Sequence, residues 1–474
     1  MSIIQPTSRK LSFSDARSSG LFRAAFVFSI FVNLLMFTGP LFMLQVYDRV
    51  LGSRSEETLV ALFGLIAVLY LFYGLLEYAR GRVLARVGAR LETEIGPMVF
   101  DAALERAALK RSIPSGASAM QDLETLRAFF ASPILLALFD IPWTPLFLAA
   151  IFIFHPYLGW FAVAGGGFIV VMALANQIFT ARRVKQAQEH AATASGFARH
   201  SQQGAEQAYA LGMMGAMRTR WKKLQVRALS DSLGASDLTG IFSAITRSFR
   251  LLLQSGMLAL AAWLVLQNEV TAGAMIASSI MMGRALAPIE HALAQWPMVQ
   301  KSRTSWKNLK EFLDASPQAP AVTQLPPPEP ALNAINVTVA LQRGDKPLLQ
   351  GVTLYVAPGE SLGIIGKSGA GKSTLARVLT GLLQPNIGEV RLGGATLDQY
   401  GPERLGNLMG YLPQDVILFD GTVAENIGHM ALEPNVDKVV TAAKRARVHE
   451  VILQLPNGYD TRIGTWDTQL SGGQ

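Results

Sequence analysis

Residues 366 to 374 read Gly-Lys-Ser-Gly-Ala-Gly-Lys-Ser-Thr, and their types and spacing suit one task, holding a chain of phosphates. Gly366, Gly369 and Gly371 let consecutive backbone N–H groups converge on phosphate oxygens, while Lys367, Ser368, Ala370 and Thr374 complete the run. Lys372 is spaced to reach the β- and γ-phosphates, and the Ser373 hydroxyl to ligate Mg²⁺. The apolar stretch Ser361 to Ile365 reads as a short buried strand before the loop, and Leu375 to Leu383 reads as a helix after it. That order, with the helix N-terminus adding its positive dipole end, is what a phosphate-binding P-loop requires. Gln414, in Tyr411-Leu412-Pro413-Gln414-Asp415, follows a second short strand and is placed to touch Mg²⁺ or an attacking water. Ser471, Gly472, Gly473 and Gln474, after Leu470, offer N–H donors at a helix start that suit a terminal phosphate. Lys372 and Gln414 are the expected catalytic groups, Ser373 and Gln414 the expected metal ligands, and a nucleotide with Mg²⁺ the expected cofactor pair.

What positions these residues is an unusually apolar chain. Of 474 residues, 50% are hydrophobic and only 16% charged, against about 25% charged in soluble domains. The absence of Cys removes disulfides, thiolate metal sites and cysteine nucleophiles. A helix crossing ~30 Å of hydrocarbon needs roughly 20 residues, and six runs qualify: Leu21 to Val46, Thr58 to Tyr78, Pro133 to Phe154, Tyr157 to Phe179, Leu251 to Gln267 and Ala272 to Trp296. The first run is too long for the apolar part of a signal peptide and reads as an uncleaved anchor after a cytoplasmic segment, residues 1–20. Lys and Arg crowd two connections, from Arg80 to Arg127 and from Arg182 to Arg227. By the positive-inside rule those loops, 79–132 and 180–240, and both termini are cytoplasmic. This topology accounts for the net charge of +8 without a nucleic-acid partner.

Each cytoplasmic loop reads as long helices with a break, and short segments beside the breaks, Ala117 to Phe130 and Ala205 to Met213, are expected to form tips, either as solvated connectors or as segments that dock onto a cytoplasmic domain and transmit its movement. Residues 21–315 thus make a transmembrane domain. Residues 316–330, with six prolines, make an extended linker, and residues 331–474 make a nucleotide-binding domain. In the third span Asp140 stands beside Pro142 and Pro145, which suggests a kink, with the carboxylate either lining a polar route or serving a structural role. Arg247, Arg250, Arg284 and Glu290 pose the same choice. Gly165, Gly166 and Gly167 suggest close helix packing. The six His residues show no metal-ligand spacing.

Taken together, these motifs resemble an ATP-binding cassette (ABC) transporter, with Walker A at Gly366 to Thr374, the Q-loop at Gln414 and the LSGGQ signature at Leu470 to Gln474. The resemblance implies a six-helix all-α transmembrane domain of the type I ABC exporter fold, fused to a C-terminal α/β P-loop NTPase cassette. It also implies a homodimer in which Ser471, Gly472, Gly473 and Gln474 act in trans. Pro40 to Leu62, Phe139 to Leu148 and Arg284 to Trp296 are similar to the type I secretion permease/ATPases of Gram-negative bacteria, in the branch exporting proteases, lipases and repeats-in-toxin proteins. That branch implies ATP-driven export of an unfolded protein across the inner membrane, with a periplasmic membrane fusion protein and an outer-membrane channel as partners. A lipid or small-molecule exporter shares the same six-span plan, and a nucleotide-binding subunit without turnover is the third reading. The family's adenine-stacking aromatic is missing near Ala340 and Leu341, and Thr465 and Asp467 stand where Glu and Gly are common. No apolar strand followed by an Asp-Glu pair occurs in the cassette half. The cassette is therefore expected to be truncated, without Walker B, catalytic Glu and switch His, and the 474-residue polypeptide alone to hydrolyse ATP negligibly.

Overall fold

The computed structural model describes residues 16–108, 116–315, 325–340, 347–414 and 416–464. It divides into two compact units, Met1–Gln318 and Ala319–Gln474. The first unit is all helix. Its elements are α1 (Ala16–Leu35), α2 (Thr38–Gln45), α3 (Glu56–Ala108), α4 (Gly116–Phe130), α5 (Pro133–Asp140), α6 (Thr144–Phe154), α7 (Pro156–Gln203), α8 (Ala205–Ala210), α9 (Met214–Leu266), α10 (Ala272–Ala294) and α11 (Trp296–Asp314).

Six of the described helical stretches are long and apolar enough to cross a membrane, among them Gly20–Ser53, Pro133–Phe154 and Ala272–Ala294. α3, α7 and α9 run on for 48 to 53 residues, about 70–80 Å at 1.5 Å per residue, far beyond the hydrocarbon. The first span is not one uniform helix, because α2 passes into a π-helical turn, Val46–Val50. The third span breaks where its prolines predict. A 3₁₀ turn at Ile141–Trp143 separates α5 from α6, with Pro142 and Pro145 in first turns, where a missing N–H costs no helical bond.

The core of this unit lies between α6, α7, α9 and α10, around Ile151, Leu158, Ile169, Met257, Leu264 and Met281. Gly165 and Gly166 serve close packing: a Cβ on Gly165 would stand 2.2 Å from Leu253 Cδ2, and one on Gly166 3.2 Å from Leu286 Cδ2. Gly167 meets nothing within 4 Å. A second cluster, Val99, Leu123, Leu126, Leu309 and Phe312, joins α3, α4 and α11.

The two segments expected to form tips are helical over most of their length. Ala117 to Phe130 belongs to α4, which lies antiparallel along α3: Cβ atoms on Gly88 and Gly96 would meet Phe130 and Leu123 respectively. Its apolar side, Leu123, Leu126 and Phe130, is buried, so hydrophobic contact holds the segment in the bundle as a packed helix. The other tip stands as a short helix: α8 joins α7 to α9, with Tyr209, Leu211 and Met213 exposed around it.

Asp140 also receives its structural account. Its carboxylate takes Arg80 Nη1 at 2.5 Å and Nη2 at 3.1 Å, and Asn33 Nδ2 at 2.8 Å. Arg80, only 1% exposed, also donates to Ser29 and Glu77. The network ties spans one, two and three together, and Arg80, counted in the sequence among the charges of a cytoplasmic loop, is a buried partner. Arg250 and Glu290 pair at 3.0 Å between spans five and six, whereas Arg247 and Arg284 are exposed.

In the second unit, β1 (Leu332–Ala340), β2 (Pro347–Val356), β3 (Ile387–Leu392) and β4 (Ala395–Thr396) form an antiparallel sheet in the order β2-β1-β3-β4. Leu332 faces Val356 on one side and Leu392 on the other. Ala334, Val337, Val339, Val390 and Leu392 pack there with Leu375 and Val378 of the helix α12 (Lys372–Leu379).

Candidate phosphate-binding site

α12 opens on Lys372, immediately behind the glycine-rich loop. Its amphipathic pattern buries Leu375 and Val378 against the sheet, which turns its N-terminus and the loop outward. Gly371 is the N-cap, with φ +90°, and a Cβ there would lie 2.9 Å from both the Leu348 carbonyl oxygen and Leu349 Cδ2. Both the backbone conformation and the space therefore call for glycine. Gly369, with φ +81°, supplies the loop's other left-handed turn. The Ala370 N–H donates to the Lys367 carbonyl at 3.2 Å, closing the turn between them.

Lys372 folds back over this loop, its Nζ donating to the Gly366 carbonyl at 2.7 Å and the Lys367 carbonyl at 2.8 Å. The ammonium thus sits at the loop mouth on neutral oxygens, where an anionic phosphate oxygen competes favourably for it. Ser373 is exposed one residue into the helix, and residues 361 to 370 are exposed throughout. Among the described residues, this combination of an outward helix N-terminus, left-handed glycines and a lysine at the mouth fits a nucleotide phosphate chain.

Two strand expectations fail. Ser361 to Ile365 and Tyr411–Leu412 are irregular, and Ile365 and Leu412 are 95% and 83% exposed. A strand exists through its ladder, and neither segment has a ladder partner among the described residues. Gln414 consequently lies exposed in an irregular stretch, and no hydrogen bond among the described residues joins it to the loop. The helix expected over Leu375 to Leu383 begins earlier and ends at Leu379. Ser471, Gly472, Gly473 and Gln474 lie outside the described residues, as do Leu341, Thr465 and Asp467.

The structure adds a brace that the sequence reading passed over. Asn426 Oδ1 accepts from the Phe419 N–H at 2.8 Å, and its Nδ2 donates to the Phe419 and Thr422 carbonyls at 3.0 Å. Thr422 and Glu425 form a capping box beneath it. Together they anchor the far end of the segment that carries Gln414. The Thr-x-x-Glu spacing at 422 to 425 was a visible signal for this helix start.

Comparison with known proteins agrees with this architecture. The model of the ABC transporter transmembrane region matches residues 22–286, and that of the ABC transporter cassette matches residues 349–474. The type I secretion system ATP-binding protein PrsD of Rhizobium meliloti is 40% identical over 95% of this chain and 78% of its own length. The cyclolysin secretion/processing ATP-binding protein CyaB of Bordetella pertussis is 26% identical, covering 94% of this chain and 63% of its own. The leukotoxin translocation ATP-binding protein LktB of Bibersteinia trehalosi is 25% identical, covering 96% and 65%. The chain thus spans less than two thirds of the length of the latter two. In fold, it is similar to a bacterial Atm1-family ABC exporter solved with ATP bound, with a TM-score of 0.81 over 97% of this chain and 82% of that one, at 21% identity. A membrane-crossing helical unit followed by a cassette with a formed phosphate loop places this multi-pass chain in the ABC transporter family, as a member of the exporter type.

Proposed function

We propose that the protein is the ABC component of a type I secretion system, exporting an unfolded protein across the bacterial inner membrane at the expense of ATP. The observation that carries this reading is the 40% identity to a type I secretion ATP-binding protein along nearly the whole chain, membrane half included. Among exporters of one fold the membrane half is where substrate classes diverge, so similarity there bears on substrate as the cassette does not.

In this reading the loop N–H groups from Gly366 to Thr374 cradle the phosphates of ATP, and Lys372 leaves its two carbonyls for the β- and γ-phosphates. Ser373 would hold Mg²⁺, whose charge would offset that of the phosphates, and Gln414 would either join it as a ligand or orient the attacking water. A second copy contributes Ser471, Gly472, Gly473 and Gln474 to complete the site. The cassette, both termini and the α8 tip face the cytoplasm. A periplasmic membrane fusion protein and an outer-membrane channel continue the route outward.

The substrate class is tested with the protein expressed from its native gene in nanodiscs. A C-terminal secretion-signal peptide is expected to bind and to change ATP hydrolysis. A response to lipids or small apolar molecules, with none to peptide, would favour the exporters that share only the fold.

A further inference from the structure

α11 is the last helix of the membrane unit, and residues 315 to 324 carry the chain from it toward the cassette unit. Movements passed along the chain between nucleotide and membrane therefore enter or leave through the final turn of α11. That turn is held in an unusual way. The last carbonyls of a helix lack partners within it. Here the Ala315 N–H takes the Glu311 carbonyl at 3.1 Å, and the Phe312 carbonyl takes Arg106 Nη2 at 2.5 Å, from a residue 206 positions earlier in sequence. The Arg106 guanidinium lies 4.1 Å from the centroid of the Phe312 ring and is 5% exposed. A cation at this end of α11 also meets the negative end of the helix dipole. Seven residues earlier, Ser305 Oγ donates to Asp122 Oδ1 at 2.6 Å. Between these two polar contacts, Leu309 and Phe312 are buried against Val99, Leu123 and Leu126. Ser302, Ser305, Leu309 and Phe312 form one helix face, and its part from Ser305 to Phe312 is committed to α3 and α4.

We propose that Arg106 is a positioning residue for energy coupling: by capping α11 from α3, it makes the exit of the membrane unit move as one body with the extensions of spans two and three. Its cationic fork reaches a backbone carbonyl and an aromatic face at once, a geometry lysine does not reproduce. Without it, the final turn of α11 loses its cap and frays, and cassette movement is absorbed in that turn before reaching the spans.

The test uses the protein expressed from its native gene in proteoliposomes, with Arg106→Met, which keeps the side chain's apolar stem, and Arg106→Lys, which keeps its charge. The readout is polypeptide transported per ATP hydrolysed. Arg106→Met is expected to retain ATP hydrolysis and to lower this ratio about fivefold or more, the size of a typical coupling effect, with Arg106→Lys intermediate. A wild-type ratio in either variant overturns the proposal, and so does a proportional fall of hydrolysis and transport together, the mark of general damage. Because the chain has no Cys, spin labels at Glu105→Cys and Lys310→Cys, both exposed positions, report the α3–α11 distance directly. A broadened distribution in Arg106→Met is expected, and an unchanged one overturns the inference. The inference rests on the export reading only for its transport readout. Failure of that reading appears as no polypeptide transport by the wild-type protein, and the distance measurement still decides the role of Arg106.

Discussion

At the scale of single residues, the buried side chains of Arg80 and Asp140 answer each other across two spans. Arg80 and Asp140 sit 60 positions apart in sequence and meet in two hydrogen bonds, with Ser29, Asn33 and Glu77 completing the shell. Removing one member strips the other of its main charge partner, leaving Asp140 with Asn33 alone or Arg80 with Glu77 and Ser29. Arg80→Met and Asp140→Leu are each expected to destabilise the membrane unit by about 3–5 kcal/mol, and the double variant by much less than the sum. Thermal unfolding in detergent measures this, and additive single effects would contradict the pairing. Asp122 offers a pH test outside the spans. Burial pushes its carboxyl above the usual carboxylate range, against the hydrogen bonds from Ser305 and Asn308 that lower it. The fold therefore binds this proton more tightly than the unfolded chain does. The stability it contributes is present below the ordinary carboxylate pKa and lost as pH rises through the raised one. Asp122→Asn, which keeps an acceptor for Ser305, is expected to flatten this part of the pH dependence, as read by melting temperature from acidic to neutral pH. None of these partnerships was legible in the sequence. Asp140 read equally as pathway or structure, and Arg80 as a topology charge, because pairing depends on where distant helices come to lie.

At the scale of elements, local signals read well and non-local ones poorly. The proline break in the third span followed from two residues that lack an N–H. The strand before the phosphate loop read wrongly, because an apolar stretch states an appetite for burial but does not name its ladder partner. The helix expected over Ala117 to Phe130 is present, whereas its packing partner in α3 is a non-local property that the pattern does not name. The π-helical turn at Val46–Val50 had no sequence warning, yet it carries a contact that joins two spans. Asp48, within it, accepts from Thr271 Oγ1 at 2.7 Å and from the Gly273 N–H at 2.8 Å, capping α10 from the first span. A Cβ on Gly273 would fall 2.6 Å from the Asp48 carboxylate. Gly273→Ala is therefore expected to separate the two elements and cost on the order of 1 kcal/mol, comparable to losing a helix cap. Asp48→Asn, which keeps one acceptor oxygen, should cost less. Cysteine cross-linking between the first span and α10 measures the separation, and an unchanged yield in Gly273→Ala would show that the clasp does not hold them.

At the scale of the whole molecule, the sequence already showed a membrane half, a proline-rich stretch and a nucleotide-binding half, because hydropathy, proline content and the P-loop spacing are local properties. Six apolar runs in the sequence correspond to six membrane-length helices. The loop that holds Lys372 was equally plain, since Gly371 must be glycine for both its φ and its neighbours. Substrate class is the least local property of all, and the proposed export of an unfolded protein is the claim to be tested at this scale. The most direct measurement is ATP-dependent accumulation of an unfolded polypeptide, scored by protease protection, in inside-out vesicles bearing the protein expressed from its native gene. The account predicts protection that requires ATP and is lost in Lys372→Ala. ATP-dependent movement of a lipid or small apolar molecule, with the polypeptide left unprotected, would contradict it.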